Sequence, residues 1–300
     1  MPELLDDLST SWVRDLRAAD KSPRTIKQYM LAVNQFRDWC VANERPATVE
    51  SLTKRAIASW LGDLADQGRE PATLLIRHKS LHRFCRWLVA EEELDRDPMA
   101  GIQAATVKPK PVPLLRDEEV VQLLRTCEGK AFTDRRDQAI IRVLFDCGLR
   151  ISECAGLHLS DVDLKHHDVV HVRGKGDIQR AVPFGAKTAK ALDRYLRARR
   201  DHGLANTTDA LWLGIRGAYS ADGVEYTLKK RAKEAGLEHI HAHQFRHGAA
   251  HQWLLSGGQE RDLKRLMGWR SDSMLERYGS SAADQRAREA AGRLRLGDRV

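Results

Sequence analysis

The chain is poor in aromatic residues, which make up 6% of its 300 residues, and its five cysteines are scattered and odd in number. Cys40, Cys85, Cys127, Cys147 and Cys154 show neither metal-ligand spacing nor a disulfide framework, so they read as core thiols of a reducing compartment. No stretch approaches the roughly eighteen apolar residues of a membrane-spanning helix. The first residues, Met1-Pro2-Glu3-Leu4-Leu5-Asp6-Asp7, are acidic where a secretion signal is basic, and a cytoplasmic location is expected. A hydrophobic content of 42% is enough for packed cores in two domains of ordinary size, which excludes a disordered chain.

Charge is plentiful and unevenly spread. The formal net charge is +8. Residues 1 to 100 hold 15 Lys and Arg against 16 Asp and Glu, a net of −1, which leaves +9 for residues 101 to 300. A basic second half suggests a polyanionic partner.

The first hundred residues are helical in pattern. Ser22 and Pro23 supply an N-cap and a first-turn proline ahead of Ile26, Tyr29, Val33, Phe36 and Cys40, an apolar stripe at spacings of three and four. A second helix is expected from Ala72 to Ala90, burying Leu74, Leu81, Phe84, Cys85 and Leu88, with Lys79, His82, Arg83 and Arg86 gathered on its other face. That face suits phosphates in a DNA groove, although a solvated surface has the same composition. Asp97-Pro98 closes this helical domain, placed at residues 1–103. Residues 104–113 hold Pro109, Pro111 and Pro113 and read as a semi-rigid linker whose Lys108 and Lys110 are candidates for the DNA backbone. A second domain is expected over residues 114–300. In it, Ala139 to Phe145 read as a buried helix stopped by Gly148. Residues 168–173 and 178–183, rich in β-branched side chains, flank a glycine turn and predict a hairpin with Lys175 at its tip. The expected fold class is mainly α with a small antiparallel β-sheet in the second domain.

That domain collects a particular set of side chains: Gly148-Leu149-Arg150-Ile151-Ser152-Glu153, then Gly174-Lys175-Gly176, then His243-x-x-Arg246-His247, then Met267-Gly268-Trp269 with Tyr278 nine residues on. A phosphoryl group under attack carries charge on its non-bridging oxygens, and guanidinium forks match that geometry with paired hydrogen bonds. A tyrosine hydroxyl is a weak nucleophile that needs a neighbouring base or a strong positive potential. A lysine among other cations has its pKa lowered toward the range useful for protonating a leaving alkoxide. Singly, each residue also fits a bland surface or packing role; their joint order points to phosphodiester chemistry.

From about Leu114 to Tyr278 the chain resembles the catalytic domain of the tyrosine recombinases, the phage integrase or Xer-type family. The box at 148 to 153 is similar to the family's first arginine motif, His243 to His247 to its His-x-x-Arg-His motif, and Leu266 to Trp269 to its Leu-Gly-His/Trp motif, with Tyr278 at the nucleophile spacing. Residues 1–103 resemble the family's SAM-like core-binding domain. The resemblance implies that Tyr278 attacks the scissile phosphate to give a 3′-phosphotyrosyl link, that Arg150 and Arg246 clamp it, that His243 assists as base and donor, and that Lys175 protonates the leaving 5′-oxygen. Trp269 stands where many members have His; its indole N–H donates but shuttles no proton. Glu153 and His247 are expected to orient these groups. The tail from Ala282 to Leu296 resembles a C-terminal docking helix, and the chain a compact form without a separate arm-binding domain.

The implied enzyme is a metal-independent DNA strand transferase, bacterial or phage-encoded and nucleoid-associated. It needs no cofactor and acts as a homotetramer on two DNA duplexes, or with a heteromeric partner recombinase, through a Holliday junction. No membrane partner is expected. Five histidines between His239 and His251 raise a metal reading, but the Glu of a His-Glu-x-x-His site is missing and Arg246 would set a cation beside the ion, so no metal is expected. Two alternatives stay open: a type IB topoisomerase-like enzyme, and a non-catalytic helical DNA-binding protein, whose activity Tyr278→Phe would leave unchanged.

Overall fold

The computed structural model describes residues 4–107, 113–174, 179–238, 240–272, 274–275, 287–288 and 291–293. The chain divides into two compact units, Met1–Lys110 and Pro111–Val300. Among the described residues no helix is long and apolar enough to cross a membrane.

The first unit is built of α1 (Leu5–Ala18), α2 (Pro23–Ala42), α3 (Lys54–Asp66) and α4 (Pro71–Ala90). Ser22 accepts from the Thr25 N–H at 3.2 Å and Pro23 opens α2, as the local sequence dictates. The buried stripe of α2 (Val33, Phe36, Cys40) meets that of α4 (Leu81, Phe84, Cys85, Leu88). Aromatic rings fill much of this core. Trp12 stacks on Tyr29 at 5.6 Å and leans on Phe84, and Phe36 meets Trp60 edge-on. His82 departs from the basic face expected of it. Its Nε2 lies 2.7 Å from Asp97 Oδ2, while Asp97 Oδ1 accepts from the Met99 N–H, so His82 pins the segment that leaves α4.

The second unit contains α5 (Asp117–Arg125), α6 (Phe132–Cys147), α7 (Ile151–Ala155), α8 (Ala186–Arg200), α9 (Ala221–Glu234), α10 (Ala242–Leu255) and α11 (Glu260–Met267). Between α7 and α8 lies an antiparallel sheet of β1 (Val162–Asp163), β2 (Val169–Arg173) and β3 (Gln179–Pro183), in that order. This is the mainly α fold with a small antiparallel sheet that the sequence predicts. The β2–β3 hairpin pairs Arg173 with Gln179 and Val170 with Val182, which puts Val170, Val172 and Val182 on the core face.

Helix α6 is the axis of this unit, buried through Ile140, Ile141, Val143 and Leu144 and packed against α8 and α10. It ends at Gly148, which takes the left-handed conformation (φ 58°) of a helix stop. Two buried arginines hold the rest in place. Arg231 of α9 pairs with Asp137 of α6, whose other oxygen takes Arg136. Arg199 donates to the carbonyls of Thr208, Ala210 and Leu211, ordering the segment that delivers Trp212. The Trp212 indole then donates to the Cys154 carbonyl at 2.7 Å and fixes α7, and with it Arg150, against the core. All five cysteines are buried; burial pushes the Cys154 thiol up to about 12 and Cys127 to about 11, which leaves these two thiols inert near neutrality.

Candidate active site and nucleic-acid interface

Three chain segments converge at one end of the second unit: the stop of α6 running into α7, the first turns of α10, and the C-terminus of α11. Arg150 is the residue before α7. Its backbone N–H donates to Glu153 Oε2 at 2.9 Å and its Nη1 to Glu153 Oε1 at 2.7 Å. The Arg150 side chain is 41% exposed, whereas Glu153 is 7% exposed, so the carboxylate is a buried anchor and the guanidinium faces outward. Burial alone would raise the Glu153 pKa, but hydrogen bonds from Arg180 and Arg150 hold it below the ordinary range, and it stays charged.

Arg246 projects from α10 into the interior and is 1% exposed. Nη1 donates to the Gly148 carbonyl at 2.7 Å and Nη2 to the Met267 carbonyl at 2.5 Å. One guanidinium thus ties the segment entering Arg150 to the segment entering Trp269. Trp269 is 5% exposed, packs with Ala250, Leu254, Leu263 and Met267, and carries the Arg246 guanidinium 5.6 Å from its ring centre. His243 is exposed on the first turn of α10; its ring stands edge-on to the buried His247 at 5.1 Å. Arg150, Glu153, His243, Arg246, His247 and Trp269 therefore sit on three adjoining segments. Tyr278, Lys175, Lys108, Lys110 and most of the tail from Ala282 to Leu296 lie outside the described residues.

Sequence reasoning passed over one member of this cluster. Arg180 sits on β3 opposite Val172, two residues before the buried Val182, and so points to the core side of the strand. Its Nη2 and Nη1 reach Glu153 at 2.8 and 3.2 Å and its Nε donates to the Leu266 carbonyl at 2.7 Å. The signal was present in the alternation: a cation at an inward strand position must find buried partners.

In the first unit, Lys79, Arg83 and Arg86 are exposed along one face of α4, and none of the three enters an ion pair among the described residues. Arg83 lies 5.8 Å over the ring of Tyr29 on α2, whose exposed Arg24 and Lys27 are further cations of this unit.

Residues 113–285 match the Phage integrase family, and residues 8–94 match the Phage integrase, N-terminal SAM-like domain. The chain is a tyrosine recombinase of the phage integrase family. Its relatives include the tyrosine recombinase XerC of Corynebacterium efficiens, 32% identical over 249 residues that span 81% of this chain and 79% of that one. The XerC of Chromobacterium violaceum is 31% identical over 280 residues, 91% of this chain and 90% of its own. A solved lambda integrase tetramer bound to a Holliday junction has the same fold at a TM-score of 0.70 and 18% identity, over 90% of this chain and 78% of that one. The recombinase is thus a site-specific DNA strand-transfer enzyme, and its site is to be read as one.

Proposed function

We infer that the chain cuts and rejoins double-stranded DNA at defined sites through a covalent bond to Tyr278. The Tyr278 oxygen attacks the scissile phosphorus, the bond to the 5′-oxygen breaks, and Lys175 protonates that oxygen as it leaves. The phosphotyrosyl ester conserves the bond energy, so a 5′-hydroxyl from the partner strand reverses the step on a new junction and releases the tyrosine. Arg150 and Arg246 hold the non-bridging oxygens, His243 serves as base and donor, and Trp269 packs behind Arg246. Glu153 and His247 orient the cations. Two guanidinium groups supply the positive charge at the phosphorus, so the step calls for no metal or cofactor.

The observation that carries this reading is the joining of Arg150 and Arg246 through a single backbone stop at Gly148, with Glu153 anchoring the exposed Arg150. The tetramer of lambda integrase on its junction supports the same assembly here: four copies on two duplexes exchanging strands in pairs, with the C-terminal tail docking between protomers and the enzyme working at the bacterial nucleoid. A heteromeric partner recombinase would be the variant of that assembly. Residues 1–103 and 114–300 act as the core-binding and catalytic domains, joined by the linker at 104–113.

A duplex nicked next to the cleavage point traps the covalent intermediate, because the short leaving strand diffuses away. Incubated in EDTA, the chain is expected to form a denaturation-resistant adduct whose DNA-bearing peptide contains Tyr278. Absence of an adduct, or one mapped to another residue, sinks the mechanism.

The α4 face is tested through salt. Each phosphate contact contributes about 0.9 to the slope of log affinity against log salt. Replacing Lys79, Arg83 and Arg86 together by Gln should flatten that slope by roughly 2 to 3, measured by fluorescence anisotropy on a duplex. An unchanged slope would remove this face from the DNA.

A further inference from the structure

One side chain ties together two of the segments that carry the proposed catalytic groups, α7 and the end of α11. Arg180 belongs to β3 and grips Glu153 at two points, 2.8 and 3.2 Å. Glu153 in turn holds Arg150 by both its side chain and its backbone. The Arg180 Nε binds the Leu266 carbonyl, one residue before the Met267 carbonyl that takes Arg246. Gly268 follows in the left-handed conformation (φ 62°), and a Cβ there would stand 3.2 Å from Arg180 Nη1, so the chain turns toward Trp269 directly against this guanidinium. Arg180 and Glu153 are both nearly closed to solvent, at 8% and 7% exposure.

The charge arithmetic gives the arrangement a purpose. Arg150 paired with Glu153 alone would be a neutral couple, offering a phosphate little net potential. With Arg180 added the trio carries one net positive charge, placed where Arg150 is the exposed member. We propose that Arg180 is a positioning residue for DNA cleavage: it neutralises and locks Glu153 so that Arg150 stays both oriented and electrostatically available to the phosphate, and it holds the end of α11 in register with that pair. The proposal rests on Arg150 contacting the phosphate.

The test uses the full chain on the nicked duplex, with adduct formation measured at saturating DNA and duplex affinity measured separately. Arg180→Met is expected to lower the cleavage rate about 100-fold, with duplex affinity changed less than about 3-fold, the size expected for one electrostatic element. Arg180→Lys keeps the charge but not the two-point grip, and should fall about 10-fold. Glu153→Gln/Arg180→Met removes the unbalanced carboxylate and should cleave at least about 10-fold faster than Arg180→Met. A pH profile separates electrostatics from packing. In Arg180→Met the Glu153 pKa loses its largest lowering influence, so cleavage should rise as pH falls and the carboxyl protonates, a limb absent from the parent.

Parental cleavage rates in Arg180→Met, or a rate loss matched by an equal affinity loss, overturn the proposal; so does a double variant no faster than Arg180→Met. If Arg180→Met fails to fold, Arg180→Lys decides, and a parental rate in it is fatal. Arg150→Ala is the control: a parental rate there removes the reading of Arg150 itself, whereas an inactive Arg150→Ala beside normal Arg180 variants removes only the role of Arg180.

Discussion

Arg246→Ala is expected to abolish cleavage and to destabilise the second unit at the same time. The side chain is 1% exposed and donates to two backbone carbonyls, of Gly148 and Met267, that α10 reaches across the interior. Truncation leaves both carbonyls short of a charged donor and opens a space the size of a guanidinium. An unmet buried acceptor costs about 1–3 kcal/mol, so a loss of roughly 3–4 kcal/mol is expected for the pair. In a unit of this size that is a fall in Tm of about 10 °C. Cleavage should drop at least 1000-fold, at the upper end of what one electrostatic donor supplies, because Arg150 and Trp269 lose their common tether and, in the proposed mechanism, the phosphate loses its second clamp. Arg246→Lys separates the two effects: a lysine can satisfy one carbonyl, recovering part of the Tm, yet offers no fork to a phosphate. Calorimetry with the nicked-duplex assay checks both. A variant that melts with the parent and cleaves within about 10-fold of it would show that neither role belongs to Arg246.

The sequence made the local parts of this site legible and the long-range parts not. Ser22-Pro23 marks the start of α2 because cap and proline act within four residues. Gly148 reads as a helix stop because only a residue without Cβ takes a left-handed conformation at little cost. The β2–β3 hairpin follows from two β-branched runs about a glycine turn. Glu153 one turn beyond Arg150 is likewise a local relation, and the ion pair is found there. Arg180 was hidden because its partners stand 27 and 86 residues away, and no window of sequence shows that a strand arginine faces a buried glutamate. The same holds for Arg231 with Asp137, 94 residues apart, and for the Trp212 indole on the Cys154 carbonyl, which set α9 and α7 against the core. His82 looked like a member of a basic stripe until Asp97, 15 residues on, was seen to hold it. Motif order identified the chemistry; tertiary contacts decide which cations are free to perform it.

Gly148→Ala should be the most damaging single-methyl change in the second unit. Two penalties combine at this residue. Its φ of 58° is left-handed, which costs a residue with a Cβ about 1–2 kcal/mol. The new methyl would also lie 2.7 Å from the Met267 Cε and 3.1 Å from the Ala249 Cβ. Met267 is 4% exposed and cannot swing into solvent, and its own carbonyl is held by Arg246, so the collision must be relieved by shifting α6 from α10 or α11. Overpacking of this kind costs a further 1–3 kcal/mol or so. Gly236 is the internal control. It has a φ of 71°, yet nothing stands within 4 Å of the position its Cβ would take, so Gly236→Ala meets the backbone penalty alone. Thermal unfolding should therefore show Gly148→Ala lower in Tm than Gly236→Ala by at least about 5 °C, corresponding to roughly 2 kcal/mol. Only Gly148→Ala should also lose cleavage, because the Gly148 carbonyl that orients Arg246 moves with the strained peptide while Arg150 lies two residues on. Equal Tm losses in the two variants would mean that the contact with Met267 yields freely. Unaltered cleavage in Gly148→Ala would mean that Arg150 and Arg246 are placed independently of the turn that joins them.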